Sequence, residues 1–381
     1  MRKIVHYSHQ WIDNKDIKEV LKVLKSDWIT QGLMVQKFEK AVAKYCGAKY
    51  AVAVSSGTAA LHSAYSVAGI GRGDEVITTS LSFAATANAV IYCGGKPIFS
   101  DIKADTLNID PKEIEKKITK KTKAIAPVDF AGHPCDYHKI LKIAKRYNLL
   151  VIEDASHSLG SKYKSERVGT FADFTTLSFH AVKTITTGEG GMVLTNNKAF
   201  YEKLKIFRHH GIVKKAGGDK WYYEISEIGH NYRLTDFQCA LGLSQLKKID
   251  KFIKKRREIV KKYNQAFKNI KEIITPTERD NVKSAWHIYV IQLSLDKLKV
   301  GRGEIFRMLQ KEGIGVQVHY VPLYLQPFYV EKFGYKEGNF PITDQYYQRA
   351  ITLPLFPKMT DKEVDRVIKT VQKVMDFYKK C

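Results

Sequence analysis

Short apolar runs alternate with helix-forming stretches through the first two thirds of this 381-residue chain, and that alternation limits its fold more than any other feature. The runs Tyr50 to Val54, Glu75 to Thr79, Pro97 to Phe99, Ala124 to Val128, Leu149 to Ile152, Thr175 to Phe179 and Met192 to Thr195 are too short for stable helices. Near-continuous apolar strands of this kind are buried on both faces, and intervening helices supply the cover. Asp13 or Asn14 can cap a helix whose Ile17, Val20, Leu21 and Leu24 share one face. A second helix from Val35 to Cys46 stops at Gly47. An alanine-rich helix follows Ser55-Ser56-Gly57-Thr58, and others are expected at Ala84 to Tyr92, after Asp110-Pro111, and at Asp136 to Tyr147. The expected fold is α/β, with a mostly parallel sheet covered on both faces.

The pattern changes near residue 250. A basic run, Lys247 to Lys262, is punctuated by Ile249, Phe252, Ile253, Ile259 and Val260, and reads as an amphipathic helix with a basic outer face. A linker at Thr275-Pro276-Thr277 follows, then strand-like runs at Trp286 to Leu293 and Gly315 to Val318, with a helix between them at Gly303 to Lys311. Residues 1–250 are therefore expected to form a large domain and 251–381 a smaller α+β one. The net charge of +24 is spread along the chain without a nucleic-acid-binding motif, so no nucleic-acid partner is expected. A diffuse positive field suits an anionic small-molecule substrate better. The five cysteines (Cys46, Cys93, Cys135, Cys239, Cys381) are scattered, without metal-ligand spacing, and fit reduced thiols; no metal is expected. The opening residues lack a signal-like apolar stretch and no run approaches a membrane span, so a cytoplasmic, membrane-free protein is expected.

Two constellations carry the chemistry. Lys183 lies in Ser178-Phe179-His180-Ala181-Val182-Lys183-Thr184-Ile185-Thr186-Thr187-Gly188-Glu189-Gly190-Gly191, where a strand breaks into small and polar residues before another strand. A lysine walled in this way loses its proton more easily than a solvated one and becomes an amine nucleophile toward a carbonyl. Alone, such a lysine is more often a surface charge. The second constellation, Val151-Ile152-Glu153-Asp154-Ala155-Ser156-His157, puts Asp154 just past a buried strand, where ligands bind in open α/β sheets. Lysine for a Schiff base and aspartate for a pyridinium nitrogen are what a pyridoxal 5'-phosphate site requires. Ser55-Ser56-Gly57-Thr58-Ala59-Ala60 joins a buried strand to a helix and offers amides and the Thr58 hydroxyl to an anion at the helix N-terminus. Phe83 could lie flat on an aromatic cofactor and His157 could donate to a ring hydroxyl, although a core aromatic and a structural histidine are the ordinary readings of each.

Together these segments resemble the DegT/DnrJ/EryC1/StrS sugar aminotransferases, of the fold-type I pyridoxal-phosphate class. The resemblance runs from Tyr7 and Asp27-Trp28-Ile29-Thr30-Gln31-Gly32 to Leu353-Pro354. It implies a seven-stranded, mostly parallel sheet in the large domain. It also implies that Lys183 carries the cofactor, that Asp154 holds the ring nitrogen protonated, and that His157 neighbours the ring oxygen. Phe83 would cover a ring face, and Gly57, Thr58, Ala59 and Ser178 would surround the phosphate. Gly229-His230-Asn231-Tyr232-Arg233-Leu234 matches the segment with which a partner subunit completes the site, which implies a homodimer with shared active sites and Asn231 as a cofactor and substrate contact. The stretch Gly315 to Tyr324 is the most discriminating within the family. Tyr7, Asp27, Trp28, Ile29, Thr30, Gln317, Val318, His319 and Tyr320, with Gly57 and Ser178, match positions that meet the sugar nucleotide. The implied reaction transfers the amino group of L-glutamate to C4 of a UDP-linked 4-keto-6-deoxy-N-acetylhexosamine of β-L-arabino configuration. Another nucleotide-sugar aminotransferase, of bacillosamine or perosamine type, and a cofactor-sensing regulator are the alternatives. A related sugar dehydratase uses histidine in place of the lysine, and Lys183 argues against it.

Overall fold

The computed structural model describes residues 4–214 and 219–380; Met1 to Lys3 and Cys381 lie outside them. Seven strands form the main sheet: β1 (Tyr50–Val54), β2 (Glu75–Thr79), β3 (Lys96–Ser100), β4 (Thr122–Ala126), β5 (Leu150–Asp154), β6 (Phe174–Ser178) and β7 (Gly191–Thr195), in the order β1-β7-β6-β5-β4-β2-β3. Strand β7 runs antiparallel to both of its neighbours, β1 and β6, and every other adjacent pair is parallel. Strands β1, β2, β4, β5 and β6 therefore end on one edge, where the loops carrying the predicted site residues emerge. Strand β5 runs two residues past its expected end, so Asp154 closes the strand, opposite Thr176 of β6.

The helices explain themselves locally but not always in their burial. Helix α1 (Asn14–Leu24) begins at a capping box in which Asp13 and Asp16 exchange backbone hydrogen bonds. Its expected apolar face is not a core face in this chain: Ile17, Leu21 and Leu24 are 51%, 47% and 52% exposed. Periodicity identifies a face that wants cover, not what covers it. The chain instead docks α1 through Asp16, whose Oδ2 accepts from Gln245 Nε2 at 2.7 Å and Lys248 Nζ at 2.6 Å. Helix α2 (Leu33–Cys46) ends at Gly47 in the left-handed conformation, as its sequence predicts.

Helix Ile249–Phe267 crosses between two cores. Ile249, Phe252 and Ile253 pack beneath the main sheet, whereas Ile259, Val260, Tyr263 and Phe267 pack with Ile291, Leu293, Ile305 and Val367 in a second core. The expectation of a wholly basic outer face fails at the crossover, where Arg256 is 1% exposed. Its Nη1 donates to the carbonyls of His287 and Leu355, both at 2.9 Å, which is what makes burial of the guanidinium tolerable. The second core also holds a three-stranded sheet of Ile273–Ile274, Tyr289–Leu293 and Ala350–Leu353 and the C-terminal helix Asp361–Tyr378. The expected strand at Gly315 to Val318 reduces to a single bridge between Gln317 and Thr352. The four described cysteines are unpaired, and no described helix is long and apolar enough to cross a membrane.

Candidate active site

A cavity of about 450 Å³ opens at the carboxyl edge of the sheet. It brings together Tyr7, Gly57, Thr58, Phe83, Asp154, His157, Ser178, Lys183, His319 and Tyr320 from ten separately named positions of the sequence, and adds His287 and Thr86. On the sheet side, Ser56 caps helix α3 (Gly57–Val67), its Oγ accepting from the Ala59 amide at 3.0 Å. Ala59 is thereby committed to the cap and is buried, which leaves Gly57 and Thr58 as the open first turn facing the cavity. Only glycine fits at 57, because a Cβ there would lie 2.9 Å from Ser178 Cβ and 3.2 Å from Ser178 Oγ. The close approach brings the Ser178 hydroxyl to the helix N-terminus, and together they form an anion cradle.

Asp154 is nearly buried, and both of its carboxylate oxygens are held. Thr86 Oγ1, on the helix Ala84–Tyr92, donates to Oδ2 at 2.7 Å, and the Ser156 amide donates to Oδ1 at 3.1 Å. Ser82 Oγ shares a further hydrogen bond with Thr86 Oγ1 at 2.8 Å. Behind this carboxylate lies a second acidic pair. Asp129 accepts from Ser158 Oγ at 2.7 Å, the Cys135 amide at 2.9 Å and Tyr137 OH at 2.8 Å, and its own amide donates to Asp154 O at 3.1 Å. Glu153 accepts from Thr175 at 2.6 Å through Oε2, and its buried Oε1 has no partner among the described residues. Burial, reinforced by Asp129, pushes the Glu153 carboxyl well above the usual carboxylate range.

Lys183 stands in the turns after β6, its amide donating to His180 O at 2.9 Å, and its side chain faces the cavity rather than bulk solvent. Burial lowers its ammonium to about 8, with the Asp154 charge pulling the other way. Opposite, burial together with Lys183 and His319 holds the His157 imidazole well below its ordinary range. Its Nε2 is 3.2 Å from Tyr320 OH. His319 Nδ1 is 2.8 Å from Thr352 Oγ1, and burial and Lys183 lower its imidazole to about 4. Phe83 is exposed at the mouth, 6.0 Å from the Tyr320 ring.

Not every expected residue enters this cavity. Gln317 is exposed and only its backbone is engaged, with Thr352; Val318 lines an adjoining apolar groove that also touches Phe83 and Tyr320. Asp27, Trp28, Ile29, Thr30 and Asn231 are exposed on the surface. Thr30 bridges Thr235, and the Asp236 amide donates to Ile29 O at 2.9 Å, so the two segments are neighbours. The sequence reading missed Thr86, Ser82 and His287. The small-polar run Thr79 to Phe83 contains Ser82; nothing local pointed to Thr86 or His287.

A walled lysine of lowered basicity, a pinned carboxylate across the cavity and an anion cradle at a helix N-terminus are the parts of a pyridoxal-phosphate aminotransferase site, and they fit that cofactor. The chain belongs to the DegT/DnrJ/EryC1/StrS aminotransferase family, whose model matches residues 10–372. Pyridoxal 5'-phosphate is the cofactor of this family. The chain is 44% identical over 375 residues to the spore coat polysaccharide biosynthesis protein SpsC of Bacillus subtilis, covering 97% of this chain and 96% of that one. It is 42% identical over 380 residues to the UDP-4-amino-4,6-dideoxy-N-acetyl-beta-L-altrosamine transaminase of Campylobacter jejuni, covering 99% of each. Among solved structures it superposes on Helicobacter pylori PseC, an aminotransferase involved in the biosynthesis of pseudoaminic acid, with a TM-score of 0.93 and 37% identity over 98% of this chain and 100% of that one. This is a nucleotide-sugar aminotransferase.

Proposed function

We propose that this aminotransferase converts UDP-2-acetamido-2,6-dideoxy-β-L-arabino-hex-4-ulose to UDP-4-amino-4,6-dideoxy-N-acetyl-β-L-altrosamine, with L-glutamate as donor. The observation that carries the reading is the cavity's polar lining: Tyr7, His319 and Tyr320 share with Lys183 the space a keto-sugar would fill. End-to-end similarity to the Campylobacter transaminase supports this choice of sugar.

The bound cofactor supplies an electron sink for the pair left when a Cα–H bond breaks. The residues of this chain do the rest. Lys183 Nζ would hold the cofactor, and as a free amine it is the group placed to take the proton from the donor's Cα and redeliver it. An ammonium lowered to about 8 suits both directions near neutral pH. Asp154, held by Thr86 and Ser156, would keep a proton on the ring nitrogen. Gly57, Thr58 and Ser178 would hold the phosphate, Phe83 would shield a ring face, and His157 would serve the ring oxygen, all of them lining the one cavity. With the keto-sugar, the same amine would deliver the proton at C4.

We further propose a homodimer in which Asn231 and the segment Asp27 to Thr30 serve the neighbouring copy's cavity. The exposure of that segment and the uncovered Ile17, Leu21, Leu24, Trp28 and Leu33 support it, since apolar patches of that kind on a folded chain call for cover. The residue ranges 1–250 and 251–381 remain our division into two domains, with the crossing helix shared.

The test is a competition between the β-L-arabino 4-keto sugar and its α-D-xylo isomer, with product configuration read by NMR. Preference for the β-L-arabino isomer, with the amine at C4, is expected. Preference for the α-D-xylo isomer would move the chain to the bacillosamine type and leave its chemistry intact.

A further inference from the structure

The two segments proposed to serve the neighbouring copy, Asp27 to Thr30 and the stretch around Asn231, do not line the cavity of their own chain. They are nonetheless fastened to each other, and one buried carboxylate makes the join. Asp236 is 1% exposed and opens the helix Asp236–Leu246, shortly after Asn231. Its Oδ2 accepts from the Gly32 amide at 2.7 Å, and its Oδ1 accepts from the Met34 amide at 2.9 Å. Its own amide donates to Ile29 O at 2.9 Å, and Thr235 before it bridges Thr30. The turn from Ile29 to Met34 therefore hangs on Thr235 and Asp236.

Helix α2 starts at this turn, and its N-cap position is Gly32, which has no side chain to cap with. Asp236 supplies the cap from far along the chain by taking the Met34 amide in the first helical turn. Two helix N-termini thus converge on one carboxylate, and each of them favours an acidic group there. Glycine is required at 32, because a Cβ would lie 2.7 Å from Asp236 Oδ1 and 3.1 Å from Trp28 Cβ. Gln31, beside it, holds φ +56°, a conformation that few side chains adopt. A strained turn persists only where its surroundings over-determine it, and here it presents Trp28 and Ile29 outward, 68% and 50% exposed.

We propose that Asp236 is a positioning residue for the neighbouring copy's sugar nucleotide: by gripping the Gly32 and Met34 amides it sets Asp27 to Thr30 against Asn231, so that both segments enter the other cavity as one unit. The inference rests on the shared-site reading given above. Asp236 then acts in trans on sugar binding and leaves proton transfer at Lys183 alone. Asp236→Asn keeps one acceptor oxygen but sets an amide NH2 against a backbone N–H, so the turn loses its hold on one side.

The experiment uses heterodimers isolated through two affinity tags, each with a single working Lys183, and the keto-sugar nucleotide preferred in the competition above. In the first, the parent chain is paired with a chain carrying both Lys183→Ala and Asp236→Asn. In the second, an Asp236→Asn chain is paired with a Lys183→Ala chain. The parent chain paired with Lys183→Ala is the reference. The first heterodimer should show a KM for the sugar raised about tenfold, the loss of one hydrogen bond to a charged group, with the glutamate half-reaction unchanged. The second should match the reference, because an unaltered segment completes its working cavity. No rise in either overturns the proposal, and complementation at Asn231 would show the shared-site reading surviving it. A rise in both marks general damage to the fold and overturns the proposal as well. A rise only in the second returns the segment to its own cavity, which overturns the shared-site reading and the proposal with it. Should Asp236→Asn not fold, Gly32→Ala, which crowds the same carboxylate from the other side, takes its place in both heterodimers.

Discussion

The two walls of the cavity hold their polar groups in different ways. On the sheet wall, charge is kept and aimed: Asp154 is gripped through both oxygens, and Gly57 admits the Ser178 hydroxyl to a helix N-terminus. On the wall built by His287, His319 and Tyr320, burial beside Lys183 disfavours charge, and the His319 imidazole is lowered to about 4. A wall of fixed charge suits a cofactor whose ring nitrogen and phosphate never vary. A wall of neutral donors and acceptors suits a sugar, because it rejects an isomer through hydrogen bonds left unmade rather than through net charge.

The comparison breaks most visibly at Lys183. Lys183→Ala should lose turnover by about 10⁴-fold or more, since one group acts as anchor, acid and base. It should still bind cofactor through the Gly57–Ser178 cradle, but borohydride should no longer fix the cofactor covalently. Residual turnover near the parent's would show that another group moves the proton.

Next in size is Asp154→Asn, for which we expect about a 10³-fold loss in both half-reactions. It also tests the electrostatics of Lys183. Cofactor attaches through the neutral amine, so the rate of reconstitution of the cofactor-free protein should rise with pH and level off above about 8. Asp154 raises the lysine's basicity, so its removal should move that midpoint to lower pH. A shift upward would mean that the carboxylate does not face the amine.

Much of the sheet wall was legible from the chain alone. Lys183 and Asp154 lie in short motifs in which a strand, a break and the reactive residue are contiguous, and strand ends in a parallel sheet necessarily converge. The opposite wall was legible only in part. His319 and Tyr320 could be singled out by family likeness, but His287 sits in an ordinary strand-like run and owes its place to Ala131, Ser161 and Arg256. Arg256 itself, inside KKRRE, has the look of a solvated charge; only carbonyls 31 and 99 residues away make it a core residue. The exposed face of helix α1 is a third case: its pattern was plain in sequence, but the described residues leave Ile17, Leu21 and Leu24 exposed.

That third case gives a prediction of intermediate size. If Asn231 serves the neighbouring copy, a heterodimer of Lys183→Ala and Asn231→Ala chains holds one site with both defects and one with neither. Mixing two nearly inactive homodimers should then restore up to about half the parent activity per heterodimer, as two-fold sharing requires. No recovery after proven subunit exchange would return Asn231 to its own chain's site or remove it from the chemistry.

The smallest effect probes how tightly the sheet wall must grip. Thr86→Val is close to isosteric but removes the hydroxyl that donates to Asp154 Oδ2, leaving the Ser156 amide as that carboxylate's remaining donor among the described residues. A hydrogen bond to a charged group contributes about 1.5–3 kcal/mol. Part of that returns when the carboxylate settles against the ring nitrogen, so about a tenfold loss in kcat is expected. The affinity for the keto-sugar should hardly change, because Thr86 lies on the cofactor's side. Orphaning Ser82 Oγ, its other partner, should cost a little stability without altering that ratio. If Thr86→Val instead raises the KM for the sugar and leaves kcat alone, the two walls are not the separate devices their construction implies.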